Sequence, residues 1–243
     1  MSAASSQVPA HGSPLHEAFV ADVGSAIVDG TYPAGSRLVT GELAEQSGIS
    51  RSAAREAVRV LESLGLVGVR RRSGIEVLPA GRWNVYAPEI IAWRLAGRGR
   101  ADQLRELSQL RGAIEPLAAS RAAVAATDDQ RREIMAAVTE MARTEQHADG
   151  TEYLDADVRF HRTVLAASGN SMLAALGDVV GAVLVGRTQH ELMPHSANPE
   201  AVRWHHDVAF AIASGRPGEA ADAMRRIVVE ADEAMQDAAR SAL

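Results

Sequence analysis

The chain has 243 residues, long enough for two domains, and its apolar share of 47% supports packed cores. It contains no cysteine, which excludes disulfides and thiolate chemistry, and aromatics are only 4% against abundant alanine, a composition that suits closely packed helices better than sheets. The net charge is −6, yet arginines at 51, 55, 59, 70, 71 and 72 face only Glu56 and Glu62 over that stretch, a local basic patch on an acidic body.

Residues 1–14 are small, polar and proline-bearing, and read as a disordered arm. A helix is expected over Leu15–Asp29, with Leu15, Phe19, Val23 and the Ala26/Ile27 pair on one face. The stretch Gly30–Gly35 breaks it, and Arg37–Val39 is a short extended piece. Thr40 is placed to cap a helix running to about Gln46. Ser47-Gly48-Ile49 makes a tight turn, and a second helix opens at Ser50 and runs to about Leu64, with Ala54, Val58 and Leu61 inward and Gly65 at its end. Arg51 and Arg55 then stand on the exposed first turns of that helix, as in a helix-turn-helix reading head. Leu66–Leu78 reads as a hairpin with the basic run Arg70-Arg71-Arg72 near its tip and Gly74 in the turn, a wing.

Residues 79–88 read as a linker, and 89–243 as an all-helical unit. Helices are expected over Glu89–Ala96 and Asp102–Ala126. The next runs from the Thr127/Gln130 capping box to about His147, followed by Thr151–Ala167 and one from the Asn170 cap to about Leu192. The last two run from Asn198-Pro199 to Ser214 and from Pro217 to near Arg240. The fold class is mostly α: an N-terminal winged helix-turn-helix over 15–78 and a C-terminal antiparallel helical bundle, whose ligand sites would lie between facing helices. No apolar run of membrane-spanning length and no signal pattern are read, so a cytoplasmic protein without a membrane partner is expected.

Several side chains carry candidate chemistry. Arginine's planar fork matches the two major-groove acceptors of guanine, and the wing arginines suit phosphate or minor-groove contact. The plainer alternative is a solvated helix face on which Arg55 and Glu56 pair with neighbours. Asp157 and His161 stand four apart on one helix face, half of a divalent metal site, although most such pairs are surface contacts. Arg111 sits in an apolar helix where Leu110, Ile114 and Leu117 look core-like, so it needs a partner, and Glu115 one turn on is the plain one.

Four blocks in order resemble the GntR family of transcription regulators, FadR-like subfamily, with an FCD-type helical ligand-binding domain. They are LAEQSGISRSAAREAVRVLESLGLV, QLRGAIEPLAASRAA, DVRFHRTVLAASGN and the pair HHDVAFAI and SGRPGEAADAMRR, together covering residues 15–240. The segment RWNVYAPEIIAWRL resembles galactonate-type repressors of that subfamily. The chain departs from the family at Gly41, where arginine is common, and at Ser52-Ala53, where Thr-Pro is usual.

The resemblance implies a homodimer that binds an inverted-repeat double-stranded DNA operator and is released by a small carboxylate effector such as galactonate or gluconate. It implies DNA contacts at Ser50, Arg51, Ser52 and Arg55, and Thr40 and the wing residues Arg71, Arg72 and Gly74 are read as DNA-binding beside them. It also implies an effector pocket with Arg111 on a ligand carboxylate, Arg187 as a second candidate, and Asp157, His161 and His205 alongside. In metal-binding members Asp157, His161 and His205 would be three ligands of zinc, nickel or manganese, while the fourth ligand position holds Ile227. Two alternatives stay open: a metal-dependent enzyme built on that trio, and a family regulator answering another carboxylate or an acyl ligand.

Overall fold

The computed structural model describes residues 14–70, 74–190 and 193–241. Contacts divide the chain into two compact units, 1–97 and 98–243.

The N-terminal unit begins with α1 (Pro14–Val28), β1 (Arg37–Leu38), α2 (Thr40–Gln46) and α3 (Arg51–Ser63), and continues with β2 (Val67–Arg70), β3 (Gly74–Val77) and α4 (Pro88–Ala96). The helix-turn-helix forms because α2 stops cleanly. Ser47 is its C-cap, Gly48 takes a φ of 65° that a side chain would resist, and the Ile49 N–H returns to the Ala44 carbonyl at 3.0 Å. Ser50 then caps α3, its Oγ accepting the Ala53 N–H at 3.2 Å. Thr40 is not a cap: Val39 holds that position and Thr40 is the first residue of α2. The sheet order is β1-β3-β2, all antiparallel, with Val67 opposite Val77 and Leu38 opposite Ile75, so the short β1 turns the hairpin into a three-stranded sheet.

Phe19, Val23, Ile27, Ala54, Val58, Leu61, Leu66, Ile75 and Ile90 form the core beneath it, whereas Leu15 is exposed. Residues 79–88 are not a loose tether. They contain a 3-10 turn at Ala80–Arg82, and the Trp83 indole N–H donates to the Leu78 carbonyl at 3.2 Å. The α4 helix then packs on α1, where the Trp93 ring occupies the space a side chain at Gly24 would need. The division between units therefore falls after Gly97, later than the linker read from the sequence.

The C-terminal unit contains α5 (Arg100–Ala125), α6 (Asp128–Thr144), α7 (Thr151–Ala167), α8 (Ser171–Ala174), α9 (Gly177–Gln189), α10 (Pro199–Ala213) and α11 (Pro217–Ser241). The Thr127/Gln130 capping box starts α6, and Asn198 caps α10 through the Glu200 N–H with Pro199 in the first turn. Asn170 caps only the short α8, because the chain turns at Ala175-Leu176 before α9 begins. The stretch Ser171–Gln189 does reach spanning length and apolarity, contrary to expectation, but it is split between α8 and α9 and half buried in the bundle.

The buried face of α5 runs through Leu104, Leu107, Ser108, Arg111, Glu115, Ala118, Ala119 and Ala122. Its alanines let neighbouring helices approach closely, and α11 makes its main contact there. Leu117, read as core, is 52% exposed, and Leu110 and Ile114 are only partly buried.

Candidate functional site

On the N-terminal unit, Arg51, Ser52, Arg55 and Arg59 are exposed on α3 opposite its buried face. Arg59 bonds Glu56 at 2.9 Å, while Arg51 and Arg55 make no hydrogen bond or ion pair with any described residue. The neighbour pairing that would have made Arg55 a plain surface charge is thus absent among the described residues. Glu62 ties the wing to α3 by accepting the Val69 N–H at 3.3 Å. The groove between them, about 360 Å³, is lined by Thr40, Arg55, Arg59, Val69 and Gly74, among others. Arg59, one turn beyond Arg55, lines this groove too but is held by Glu56. Arg71 and Arg72 lie outside the described residues.

In the C-terminal unit five helices bring charged groups to one small cavity, about 40 Å³. Arg111 comes from α5, Asp157 and His161 from α7, Arg187 from α9, His205 from α10, and Ile227 and Glu230 from α11, while Glu115 of α5 lies behind the lining against Arg111 and His161. Arg111 Nε bonds Glu115 Oε1 at 2.7 Å with both side chains almost fully buried. Glu115 also touches His161, Oε2 lying 2.8 Å from Nδ1, close but poorly aligned for a hydrogen bond. Burial pushes Glu115 up, but Arg111 and then His161 outweigh it and hold the carboxyl at about 2. Burial likewise opposes ionisation of Asp157, yet His161 and His205 keep it well below the usual carboxylate range. Burial would lower His161, but Glu115 and then Asp157 raise it.

Asp157 Oδ1 lies 3.3 Å from His161 Nε2 and 3.5 Å from His205 Nε2, and the three donor atoms fall within 4.8 Å of one another. His205 Nδ1 is 2.7 Å from the Ala201 carbonyl, which can only accept, so in the neutral ring Nε2 carries the lone pair. Asp157 Oδ1 and His205 Nε2 are buried without a hydrogen-bond partner. Bonds of about 2.0–2.2 Å to a common ion would put neighbouring donors roughly 3–3.5 Å apart. The donor set, and the two separations from Asp157, therefore fit a divalent cation. Phe160 stands edge-on to both rings and walls them off. Ile227 is buried in the lining and supplies no fourth ligand.

Arg187 is the outlier. It is 6% exposed, its Nε has no hydrogen-bond partner, and no described residue forms an ion pair with it. Burial, followed by the nearby Arg111 charge, lowers its pKa, and Asp157 and Glu230 oppose that shift without reversing it. A buried unpaired guanidinium is costly, and an anion in the cavity would remove the penalty. Glu230 and Tyr153, also in the lining, were not foreseen; for Glu230 the signal was a single carboxylate three residues beyond Ile227.

A winged reading head followed by a helical domain with a charged interior cavity is the architecture of a one-component transcription regulator. The chain matches the bacterial regulatory proteins of the gntR family over residues 15–77 and the FCD domain over residues 106–230, and it belongs to that family of DNA-binding regulators. It is similar to the galactonate operon transcriptional repressor of Escherichia coli (strain K12), 29% identical over 204 residues, 84% of this chain and 88% of that protein. It is also similar to the Exu regulon transcriptional regulator of Escherichia coli (strain K12), 34% identical over 163 residues, 67% of this chain and 60% of that protein. Among solved structures, Lar of Listeria monocytogenes aligns over 94% of this chain and 99% of its own with a TM-score of 0.57 at 16% identity. McbR/YncC of E. coli aligns over 93% and 99% with a TM-score of 0.52 at 17% identity. These two show the fold. Family membership makes the protein a regulator and sets aside the reading of the Asp-His-His trio as an enzyme's centre.

Proposed function

We infer that the protein is a cytoplasmic, homodimeric repressor that binds an inverted-repeat operator and is released by a small, hydrophilic carboxylate of the sugar-acid class. The observation that carries this is the buried Arg187, without an ion pair among the described residues, beside Asp157, His161 and His205 in one narrow cavity. The names of the galactonate and Exu relatives support the sugar-acid class. The charged lining suits a small polar anion better than an acyl chain, which needs an apolar tunnel.

Asp157, His161 and His205 would hold a divalent metal, zinc, nickel or manganese, which supplies positive charge and open coordination positions for ligand oxygens. Arg187 is assigned the effector carboxylate. Arg111 is assigned a supporting role, since Glu115 already takes its Nε. In the head, Arg51 and Arg55 contact bases, with Thr40, Ser50, Ser52 and Gly74 at their flanks and Arg71 and Arg72 on phosphates.

Operator binding at fixed salt, titrated with galactonate and gluconate against their neutral aldoses, tests the whole reading. Arg51→Ala and Arg55→Ala should each lose roughly 1–3 kcal/mol of discrimination for operator over random DNA. Release by neutral sugars alone, or unchanged discrimination in both variants, would refute it.

A further inference from the structure

The cavity is walled by helices except along Met193–Asn198, the described part of the connection between α9 and α10, from which Met193, Pro194, Ala197 and Asn198 face it. This segment is fastened to the turn after α6. The Ala148 N–H donates to the His195 carbonyl at 2.7 Å, and the Ala197 N–H donates to the Glu145 carbonyl at 2.7 Å. Outside these two bonds, His195 Nδ1 lies 3.1 Å from both carboxylate oxygens of Asp149, and its ring stands edge-on to His147. At the far end Asn198 Nδ2 donates to Glu230 Oε1 at 3.1 Å.

We propose that Met193–Asn198 is a strap that closes the cavity, and that the two backbone bonds and the His195–Asp149 contact on the 145–149 turn are its catch. The inference rests on the reading of the cavity as the effector site. A water needs about 10–15 Å³ of such space, so the narrow cavity of about 40 Å³ admits an ion and a few waters but not a six-carbon acid. One wall must therefore yield. Moving α5, α7 or α11 would open the alanine-rich core around Ala118, Ala122, Phe160 and Met224. Moving the strap breaks a few hydrogen bonds, and its outer contact is half-exposed, with the His195 and Asp149 side chains in water. His195 and Asp149 lie outside the cavity lining, so loosening their contact changes how fast ligands exchange rather than how tightly they bind.

Two measurements test this. In the metal-free protein, amide hydrogen exchange of Ala148 and Ala197 reads strap opening directly. His195→Ala should speed both amides together, by about two- to fivefold for loss of one exposed ion pair. Separate behaviour of the two amides, or no change in either, would overturn the strap. The second is stopped-flow uptake and chelator-driven loss of Co²⁺. His195→Ala should raise both rates by a similar factor and leave their ratio, the affinity, unchanged. The chain has no cysteine. In Asp149→Cys/His195→Cys joined by a short thiol crosslinker, both rates should fall steeply and recover when the link is cut. Unchanged rates in the crosslinked protein would place the way in elsewhere. Failure of the parent to take up Co²⁺ would instead refute the cation site, and the amide exchange would still decide the strap.

Discussion

Replacing Glu115 with leucine isolates what the buried Arg111–Glu115 pair does. The two side chains are 2% and 1% exposed and share a 2.7 Å bond, so removing the carboxylate leaves a guanidinium in the helical core without its ion-pair partner and with only the weaker influence of Asp157. Removing one partner of such a pair costs about 3–5 kcal/mol, whereas replacing both with apolar groups of similar volume is often neutral or stabilising. Glu115→Leu and Arg111→Met should therefore each destabilise the C-terminal unit by about 3–5 kcal/mol, while the double variant should lose far less. The double variant will not be cost-free, because His161 also loses its 2.8 Å carboxylate neighbour and keeps only Asp157. Urea unfolding followed by far-ultraviolet circular dichroism measures all three, and the N-terminal unit serves as the internal control. If the single costs simply add in the double variant, or each is under about 1 kcal/mol as for a surface pair, the pair is not a structural unit. Arg111 would then be free to serve the effector.

Arg187→Met should behave in the opposite way. It removes an unpaired buried charge, so stability should hold or rise, while galactonate affinity falls about tenfold or more with the loss of charge-assisted bonds worth about 1.5–3 kcal/mol each. Calorimetric binding and thermal unfolding check it, and lower stability with unchanged affinity would contradict it. Ile227→His should tighten zinc or nickel against a competing chelator by adding a fourth ligand to the trio; an unchanged affinity would mean that α11 does not present position 227 to it. The metal-free protein should also lose stability in acid. Glu115 is held at about 2 against an ordinary 4.5, so its contribution, about 3 kcal/mol, is complete above 4.5 and lost as pH falls through 2. Glu115→Gln should flatten that slope in urea titrations run at successive pH values, and an equally steep slope would assign the acid sensitivity elsewhere.

The head was the most legible part of the chain because its determinants are local. Gly48 at a helix end, Ser50 before a helix and alternating valines in a hairpin each specify backbone geometry within a few residues. The boundary between the units was less legible for the converse reason. Residues 79–88 carry the Pro, Gly and Asn of a linker, and what makes them part of the head is the Asn84 N–H bond to the Leu64 carbonyl and the approach of Arg82 to Gly65, with Trp93 of α4 against Gly24 beyond them, contacts between residues apart in sequence. The same holds for Asn170, which caps a helix as expected but cannot show that the helix breaks at Ala175-Leu176.

At the cavity, Asp157 and His161 were legible as a pair because a four-residue spacing places them on one helix face; His205 was placed by resemblance alone. Arg111 and Glu115 show where periodicity misleads. An Arg and a Glu four residues apart on a helix look the same whether they face water or core, and weighting Leu110, Ile114 and Leu117 as the apolar stripe turned the helix the wrong way. The decisive signal was the small residues further along. Ala118, Ala119, Ala122 and Ala123 are all buried, and stepping back from them by three or four residues passes through Glu115 and Arg111 to Ser108, Leu107 and Leu104. Alanine on that stripe marks where other helices come close, and an arginine on the same stripe must then be enclosed with whatever neutralises it. For Arg111 that group is in the chain, one turn away. Arg187, enclosed on α9, feels the charges of Asp157 and Glu230 but forms no ion pair with any described residue, and the proposed effector carboxylate would supply the pairing that Arg111 already has.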